Sequence, residues 1–538
     1  MASYSSHNAS TTLQSIEANA LLGWKSSFDN QTHLSSWTGN SPGRNWLGIT
    51  CDVSNICLIN IGLQGTLQSL NFSLLPNIVT LNISMNSLYG IIPPQIGKLS
   101  LWCNSLNNWK LDQFTIFIPS QNHLTGSIPS TVGHFRKLVG LFLHSNELSG
   151  NIPQETGNMC NLLYFSLYKN HLTGSIPSTI GNLTKVTRLN LLCNELGGNL
   201  PIEMNKLINL ETLQLSDNYF TGNLPRNICN GGMLANFSAM NDHFTGPVPT
   251  SLKTCTSLIR LRLERNQLTG NIENDFGVYP NLYYIGLSEN NFYGHLSPNW
   301  AKCNSLTSLL ISNNNLSGSI PLELGEATNL HVIDLSSNHF TGEFPKELAN
   351  LFKLNKLLLS NNLLSGNIPI HIASLKDLDT LELASNNLSG FLVKELSRLP
   401  KLRNLNLSQN NFKGNIPVEL GQFRVLHTLD LSELAYTKEV DEKCVVYSFR
   451  VLALEILFGK HPGDFISSSL SSSDIMVLVM ERLDQRLSYP INPIVKKVEL
   501  IARIVCACLI QKPRSRPTMD QVSKELQKSN SPSMNYVS

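Results

Sequence analysis

The chain is predicted to fold as a solenoid, a stack of similar coils each carrying one short strand, and three observations predict it. Asparagine returns every 24 residues, at Asn122, Asn146, Asn170, Asn194, Asn218, Asn266, Asn290, Asn314, Asn338, Asn362, Asn386 and Asn410, with Asp242 at the one missed beat. Leucines precede it in a fixed phrase, L-x-x-L-x-L-x-x-N, as in LIRLRLERNQLTGNI at 258–272 or LHVIDLSSNHFTGEFP at 330–345. A second phrase, L-x-G-x-I-P, follows in most coils, as in Leu124–Pro129, Leu148–Pro153, Leu172–Pro177, Leu316–Pro321 and Leu364–Pro369.

A long period carried by that pattern is the signature of a leucine-rich-repeat solenoid, an α/β repeat fold. Each L-x-L is read as a strand, and successive strands stack in parallel about 4.8 Å apart. Leu258, Leu261 and Leu263 point inward in one coil, Leu402, Leu405 and Leu407 in another. No coil buries that face alone, so stability comes from stacking on neighbours. The recurrent asparagine is expected to form an internal ladder, its amide pairing backbone groups that would cost about 1–3 kcal/mol each if buried unpaired. Asp242 lacks the amide donors, so its rung is expected to be weaker. Glycine permits the tight turn after the ladder and proline sets φ at the outer edge. The beat slips between Asn86 and Asn122, where SLWCNSLNNWKLDQF carries little pattern and a distorted or shortened unit is expected. It stops at Leu434, where the next asparagine is due.

Composition excludes several classes. With net charge +2 and pI near 8.0, the chain lacks the basic footprint of a nucleic-acid binder, whose pI usually exceeds about 9. No run approaches the roughly 18 apolar residues of a membrane span, and MASYSSHNASTTLQSIEANALL shows no secretory leader. Sequons recur at Asn30, Asn71, Asn82, Asn182, Asn236, Asn315, Asn387 and Asn406. They are consistent with glycosylation and equally with chance matches inside the repeat phrase. There are 11 cysteines, an odd number. Cys229 and Cys255 sit one period plus two residues apart, so they fall in adjacent coils at a separation a disulfide can span. Cys255 and Cys303 lie two full coils apart, too far to pair. No C-x₂-C occurs, which argues against a structural zinc, and no metal or other cofactor is expected.

The ends of the chain carry a resemblance. Residues 17–51 are similar to the N-terminal cap of plant leucine-rich-repeat proteins, with Leu21, Leu22, Trp24 and Trp37 set to cover the first open coil. The cap's closing phrase, C-x-W-x-G-I-x-C, here reads Arg44-Asn45-Trp46-Leu47-Gly48-Ile49-Thr50-Cys51. The usual cap disulfide therefore cannot form, and Cys51 is left free or pairs with Cys57. The G-x-I-P phrase resembles the plant-specific repeat, which implies a second short strand per coil and a right-handed superhelix. From Glu433 the leucine rhythm ends. ELAYTKEVDEKCVVYSFRVLALEILFGKHPGD and CLIQKPRSRPTMDQVSKEL resemble the last third of a receptor-like serine/threonine kinase, with Glu433 and Arg516 at the positions of that family's paired glutamate and arginine. The whole resembles a truncated plant leucine-rich-repeat receptor-like kinase.

The domain reading is accordingly a flexible N-terminus at 1–16, a cap at 17–57 and a solenoid at 58–432, irregular near 101–121. A small α-helical fragment resembling part of a kinase C-lobe follows at 433–528, with a disordered tail at 529–538. Kinase chemistry needs a Gly-rich loop, a strand lysine, a catalytic-loop aspartate and a D-F-G metal aspartate. The kinase-like region contains none of them, and Val445 and Arg450 replace that family's aspartate and glycine. Asp275-Phe276-Gly277 spells D-F-G but lies at the repeat phase of Gly157 and Gly181, so it is read as part of the repeat and not as a metal-binding site. The juncture at Ser432–Glu433 reads as a join that skips the membrane helix and most of the kinase.

Binding is thus the expected function. The x positions of each strand, at −6, −4, −2 and −1 from the asparagine, project onto one face, and most are Ser, Thr, Asn or Asp. Two clusters differ. One is Phe142, His144, Tyr164, Tyr168, Lys169 and Arg188. The other is Arg260, Arg262, Glu264, Arg265 and Tyr284. Tyrosine and arginine dominate interface hot spots, and two guanidinium groups on one strand can hold a carboxylate. Arg260-x-Arg262 is similar to the R-x-R feature by which some plant peptide-receptor kinases hold a peptide's free C-terminus. The competing reading is an exposed charged strand in which Glu264 partly neutralises the arginines. The resemblance implies a peptide or protein ligand, a co-receptor kinase and a cell-surface location. The rival functions are a serine/threonine kinase by inheritance and a soluble decoy or inhibitor.

Overall fold

A computed structural model describes residues 16–38, 46–50, 53–100, 113–423 and 425–432, with isolated helical positions at 501, 504, 521 and 524. The chain divides into two compact units, Met1–Tyr293 and Gly294–Ser538.

In the first unit the L-x-L segments form strands that pair in parallel in chain order, from Asn55–Cys57 and Thr80–Asn82 to Arg260–Arg262 and Tyr284–Gly286. The central residue of each, including Leu81, Leu189, Leu213, Leu261 and Ile285, is fully buried. The implied second strand is present as well. Glu147–Asn151, His171–Gly174, Glu195–Asn199 and Tyr219–Gly222 pair in parallel after the asparagine. Gly150 and Gly174 turn there at φ +75° and +73°, a conformation only glycine adopts cheaply. The I-P step then enters a 3₁₀ turn, as at Ser178–Asn182 after Pro177. The second unit repeats the plan, with strands running from Ser308–Leu310 and Val332–Asp334 to Thr428–Asp430.

The asparagine ladder is built as expected. Asn146 Oδ1 accepts the Leu124 N–H at 3.1 Å while its Nδ2 donates to the Pro119 and Leu143 carbonyls at 3.1 and 3.0 Å. Asn290 in the first unit and Asn386 in the second repeat this bracing. At Asp242 only half of it survives. Oδ1 accepts the Phe220 N–H at 3.1 Å, but Oδ2 is buried with no hydrogen-bond partner. Burial pushes this carboxyl up to about 8, the Phe220 N–H opposing the shift.

The cap covers the first coil as its apolar residues predict. Leu21, Trp24 and Trp37 are buried, Leu22 is half-buried, and Trp24 Nε1 donates to the Thr66 carbonyl at 3.0 Å. Trp37 stacks on Trp46 with ring centroids 5.3 Å apart. Cys57 is a free, exposed thiol. Residues 1–15, Arg44, Cys51, the segment 101–112, the tail 529–538 and the kinase-like stretch from Glu433, apart from positions 501, 504, 521 and 524, lie outside the described residues.

The slipped beat is not a shortened unit. Strand Thr80–Asn82 pairs directly with Ile116–Ile118, Leu81 opposite Phe117, so the 36 residues from Asn86 to Asn122 make one long coil. On the described residues the usual order is kept, strand Ser87–Ile91, then the 3₁₀ turn Pro94–Ser100, then strand Ile116–Ile118. Cys229 and Cys255 form a disulfide, with Cα atoms 6.0 Å apart, and Cys303 is buried in the second unit. Asp275 ends a short helix, Ile272–Asp275, and its carboxylate accepts the Asn271 N–H at 2.7 Å, while Phe276 packs edge-on against Phe292. The D-F-G letters therefore straddle the end of that helix within the repeat.

Candidate functional site

All the predicted site residues lie in the first unit, on or just after its strands. In Arg260–Arg262 the middle Leu261 is buried and the flanking arginines are half-buried. Both guanidinium groups reach the same ring, Tyr284 on the adjacent strand, where Arg260 is directly opposite Tyr284 in register. Arg260 Cζ lies 4.5 Å from the Tyr284 centroid and Arg262 Cζ 5.8 Å. The pair therefore shares one side of the sheet.

The two arginines are not equivalent. Arg262 Nε donates to Glu264 Oε1 at 3.3 Å, and the Tyr284 hydroxyl donates to the same oxygen at 2.9 Å. Glu264 is 8% exposed and its Oε2 is buried with no hydrogen-bond partner. Burial, with the Glu264 carboxylate beside it, pushes the Tyr284 phenol up to about 12, so it remains a donor. Glu264 leans across Gly286, where any Cβ would collide with Oε1. Arg260 forms no ion pair among the described residues; it donates to the Tyr283 hydroxyl at 3.0 Å and lies over the Tyr283 ring as well. Among the described residues Glu264 thus pairs with Arg262 and not with Arg260.

The structure separates Arg265 from this group. The residue before each ladder asparagine adopts a left-handed backbone, φ +56° at Arg265 and +55° at Lys169. Such residues sit at the corner after the strand and pair with the same position in the next coil, Arg265 with Glu289 at 3.1 Å. Tyr283, seven residues before Asn290, falls outside the lanes, and Gly286, though in the −4 lane, carries no side chain for a lane search to register. The signal for them is a Tyr-Tyr doublet followed by a glycine at a strand position otherwise occupied by side chains.

The other cluster resolves into two stacks. Phe142 and Tyr164 stack with centroids 6.1 Å apart, and Arg188 Cζ lies 5.7 Å over Tyr164. Gly140 leaves the space beside Phe142 that a Cβ would fill. His144 and Tyr168 stack at 4.4 Å with 12° between planes. Burial, then the nearby Lys169 charge, lowers the His144 imidazole to about 4, so it is neutral at physiological pH. Its Nδ1 is buried with no hydrogen-bond partner. Among the described residues no group of His, Cys, Asp and Glu is placed to hold a metal ion, and no helix is long and apolar enough to cross a membrane.

Comparison with known proteins agrees with this architecture. The leucine rich repeat N-terminal domain matches residues 15–52, and the leucine rich repeat matches 77–99, 161–183, 209–230, 305–327, 329–351 and 401–423. MDIS1-interacting receptor like kinase 2 of Arabidopsis thaliana is 44% identical over 92 residues, which are 17% of this chain and 9% of that relative. The chain spans 9% of that relative's length and 8% of that of a probable leucine-rich repeat receptor-like protein kinase, At1g35710, of the same plant. Among solved structures, the plant peptide hormone receptor RGFR1 in complex with RGF2 is 33% identical with a TM-score of 0.60, over 68% of this chain and 60% of that one. The Arabidopsis receptor kinase HAESA in complex with the peptide hormone IDA and the co-receptor SERK1 is 28% identical with a TM-score of 0.54, over 77% and 81%.

Proposed function

We propose that this chain, a leucine-rich-repeat protein whose relatives are the plant receptor-like kinases, binds a peptide or protein on the strand face of its first unit. The role is recognition in cell-surface signalling, with a co-receptor as further partner, and not phosphoryl transfer. The observation that carries the reading is the inequality of the two arginines. Arg262 is held by Glu264, whereas Arg260 offers an uncompensated guanidinium, positioned by two tyrosines. A half-buried guanidinium with no carboxylate of its own is suited to a ligand's carboxylate, through charge-assisted bonds in a fork geometry. The solved neighbours add support, since one is a plant peptide hormone receptor in complex with RGF2 and the other a receptor kinase in complex with a peptide hormone and a co-receptor. Glu264 then has two tasks: it holds Arg262 and Tyr284 in place, and it disfavours a second acid group immediately beside the one Arg260 takes.

The test is binding of synthetic peptides with free or amidated C-termini to the wild type and to Arg260→Ala. The wild type is expected to prefer the free acid by about tenfold, the worth of one charge-assisted contact, and the variant to lose that preference with its fold intact. Equal affinity for acid and amide in the wild type would reject the site.

A further inference from the structure

A second guanidinium shares the row of Arg260. Arg188 opens its own strand, and the register runs Arg188 opposite Thr212, Thr212 opposite Asn236, and Asn236 opposite Arg260. Each arginine lies over a tyrosine on a neighbouring strand, Arg188 over Tyr164 and Arg260 over Tyr284. Among the described residues neither is in an ion pair, whereas Arg262 and Arg265 both are. The side chains between them in the two strand rows are neutral: Thr212 and Asn236 in one, Asn190, Gln214 and Ser238 in the other.

Resting on the peptide reading above, we infer that the ligand carries a second anion, an aspartate or glutamate side chain about four residues before its terminal carboxylate, and that Arg188 binds it. The spacing follows from strand geometry. Three strand steps of about 4.8 Å separate the two arginines by about 14 Å, and an extended chain advances about 3.4 Å per residue, so about four residues bridge them. An even offset also matters, because alternate side chains of an extended peptide point the same way. With the side chain four positions back turned to Arg188, those three and five back face solvent. The peptide runs from the Arg188 coil toward the Arg260 coil, and the Phe142–Tyr164 stack lies just beyond Arg188 for residues further upstream.

The experiment uses the full chain and a panel of fluorescent alanine–serine peptides in which one aspartate is moved stepwise away from the C-terminus, each made as free acid and as amide. Affinity of the free acids is expected to peak at an offset of about four, roughly tenfold above the adjacent odd offsets. Arg188→Ala should flatten that peak and leave the preference for acid over amide. Arg188→Glu should transfer the preference from aspartate to lysine at the same offset. Arg188 is exposed, and an unchanged melting temperature would show that both variants fold. A flat profile, or a peak indifferent to Arg188→Glu, with the acid-over-amide preference intact, overturns this inference alone. Loss of the acid-over-amide preference in the wild type overturns the proposed function with it.

Discussion

Asp242→Asn should stabilise the protein, and by an amount that grows with pH. The carboxyl is 7% exposed, one oxygen has no partner, and its titration lies near 8 in place of the usual 3.8. The folded state therefore holds a proton that the unfolded chain releases between about pH 4 and pH 8. Over that window the folded state binds more protons, so stability falls as pH rises, and it levels off above the folded value. At about 1.4 kcal/mol per unit, the loss between pH 5 and pH 8 is at most about 4 kcal/mol; entry of water at the rung would reduce it to about 2. Asparagine does not titrate, and its Nδ2 would donate to the carbonyls of Leu215 and Ala239, the counterparts of those that Asn218 uses at Leu191 and Leu215. Urea unfolding of wild type and variant at pH 5 and pH 9 measures this. The gap between them should widen by about 2–4 kcal/mol. An equal gap at both pH values would show that the carboxylate is solvated and the broken rung costs nothing electrostatic.

Other perturbations probe separate parts of the stack. Replacing Cys229 and Cys255 together by alanine opens a loop with a separation of 26 residues, for which chain entropy predicts a loss of about 3 kcal/mol; a denaturation midpoint that does not move under reduction would contradict it. Gly157→Ala should cost about 1–3 kcal/mol, because a Cβ there would lie 2.6 Å from the Thr179 Cβ and collide with its carbonyl; a neutral calorimetric result would mean the turns can spread freely. His144 should stay neutral from pH 7 to pH 5. Its folded value of about 4 lies below the ordinary 6.5, so its contribution to stability is full above about 6.5 and is lost as pH falls toward 4. An imidazole NMR titration centred near 6.5 would contradict that burial.

Much of the molecule was legible in sequence because a solenoid is nearly one-dimensional. Each coil contacts its neighbours, so a fixed period converts distance along the chain into position in space. That is why the ladder, the inward leucines and the Cys229–Cys255 pair could all be read from spacing, whereas the second strands were implied by the resemblance to plant-type repeats. The same logic placed Arg260 and Arg262 on one side of the sheet and set Asp275-Phe276-Gly277 inside a repeat. It failed where a coil changes length, since a pattern search cannot distinguish one long coil from a broken short one, whereas the pairing of Leu81 with Phe117 can.

The site was legible only as a set of lanes. Sequence determined which residues emerge from the strands, and hence that arginine and tyrosine concentrate in two places on a face otherwise made of small polar groups. Tertiary structure decided which of those residues are committed to one another. Glu264 takes Arg262 and Tyr284 because Gly286 leaves room for it to lie across the next strand. Arg265 turns to Glu289 because the corner backbone is left-handed. Arg260 and Arg188 are left to rings without carboxylates. Competition among neighbouring side chains for one partner depends on the space and backbone angles around them, and a period in the sequence carries neither.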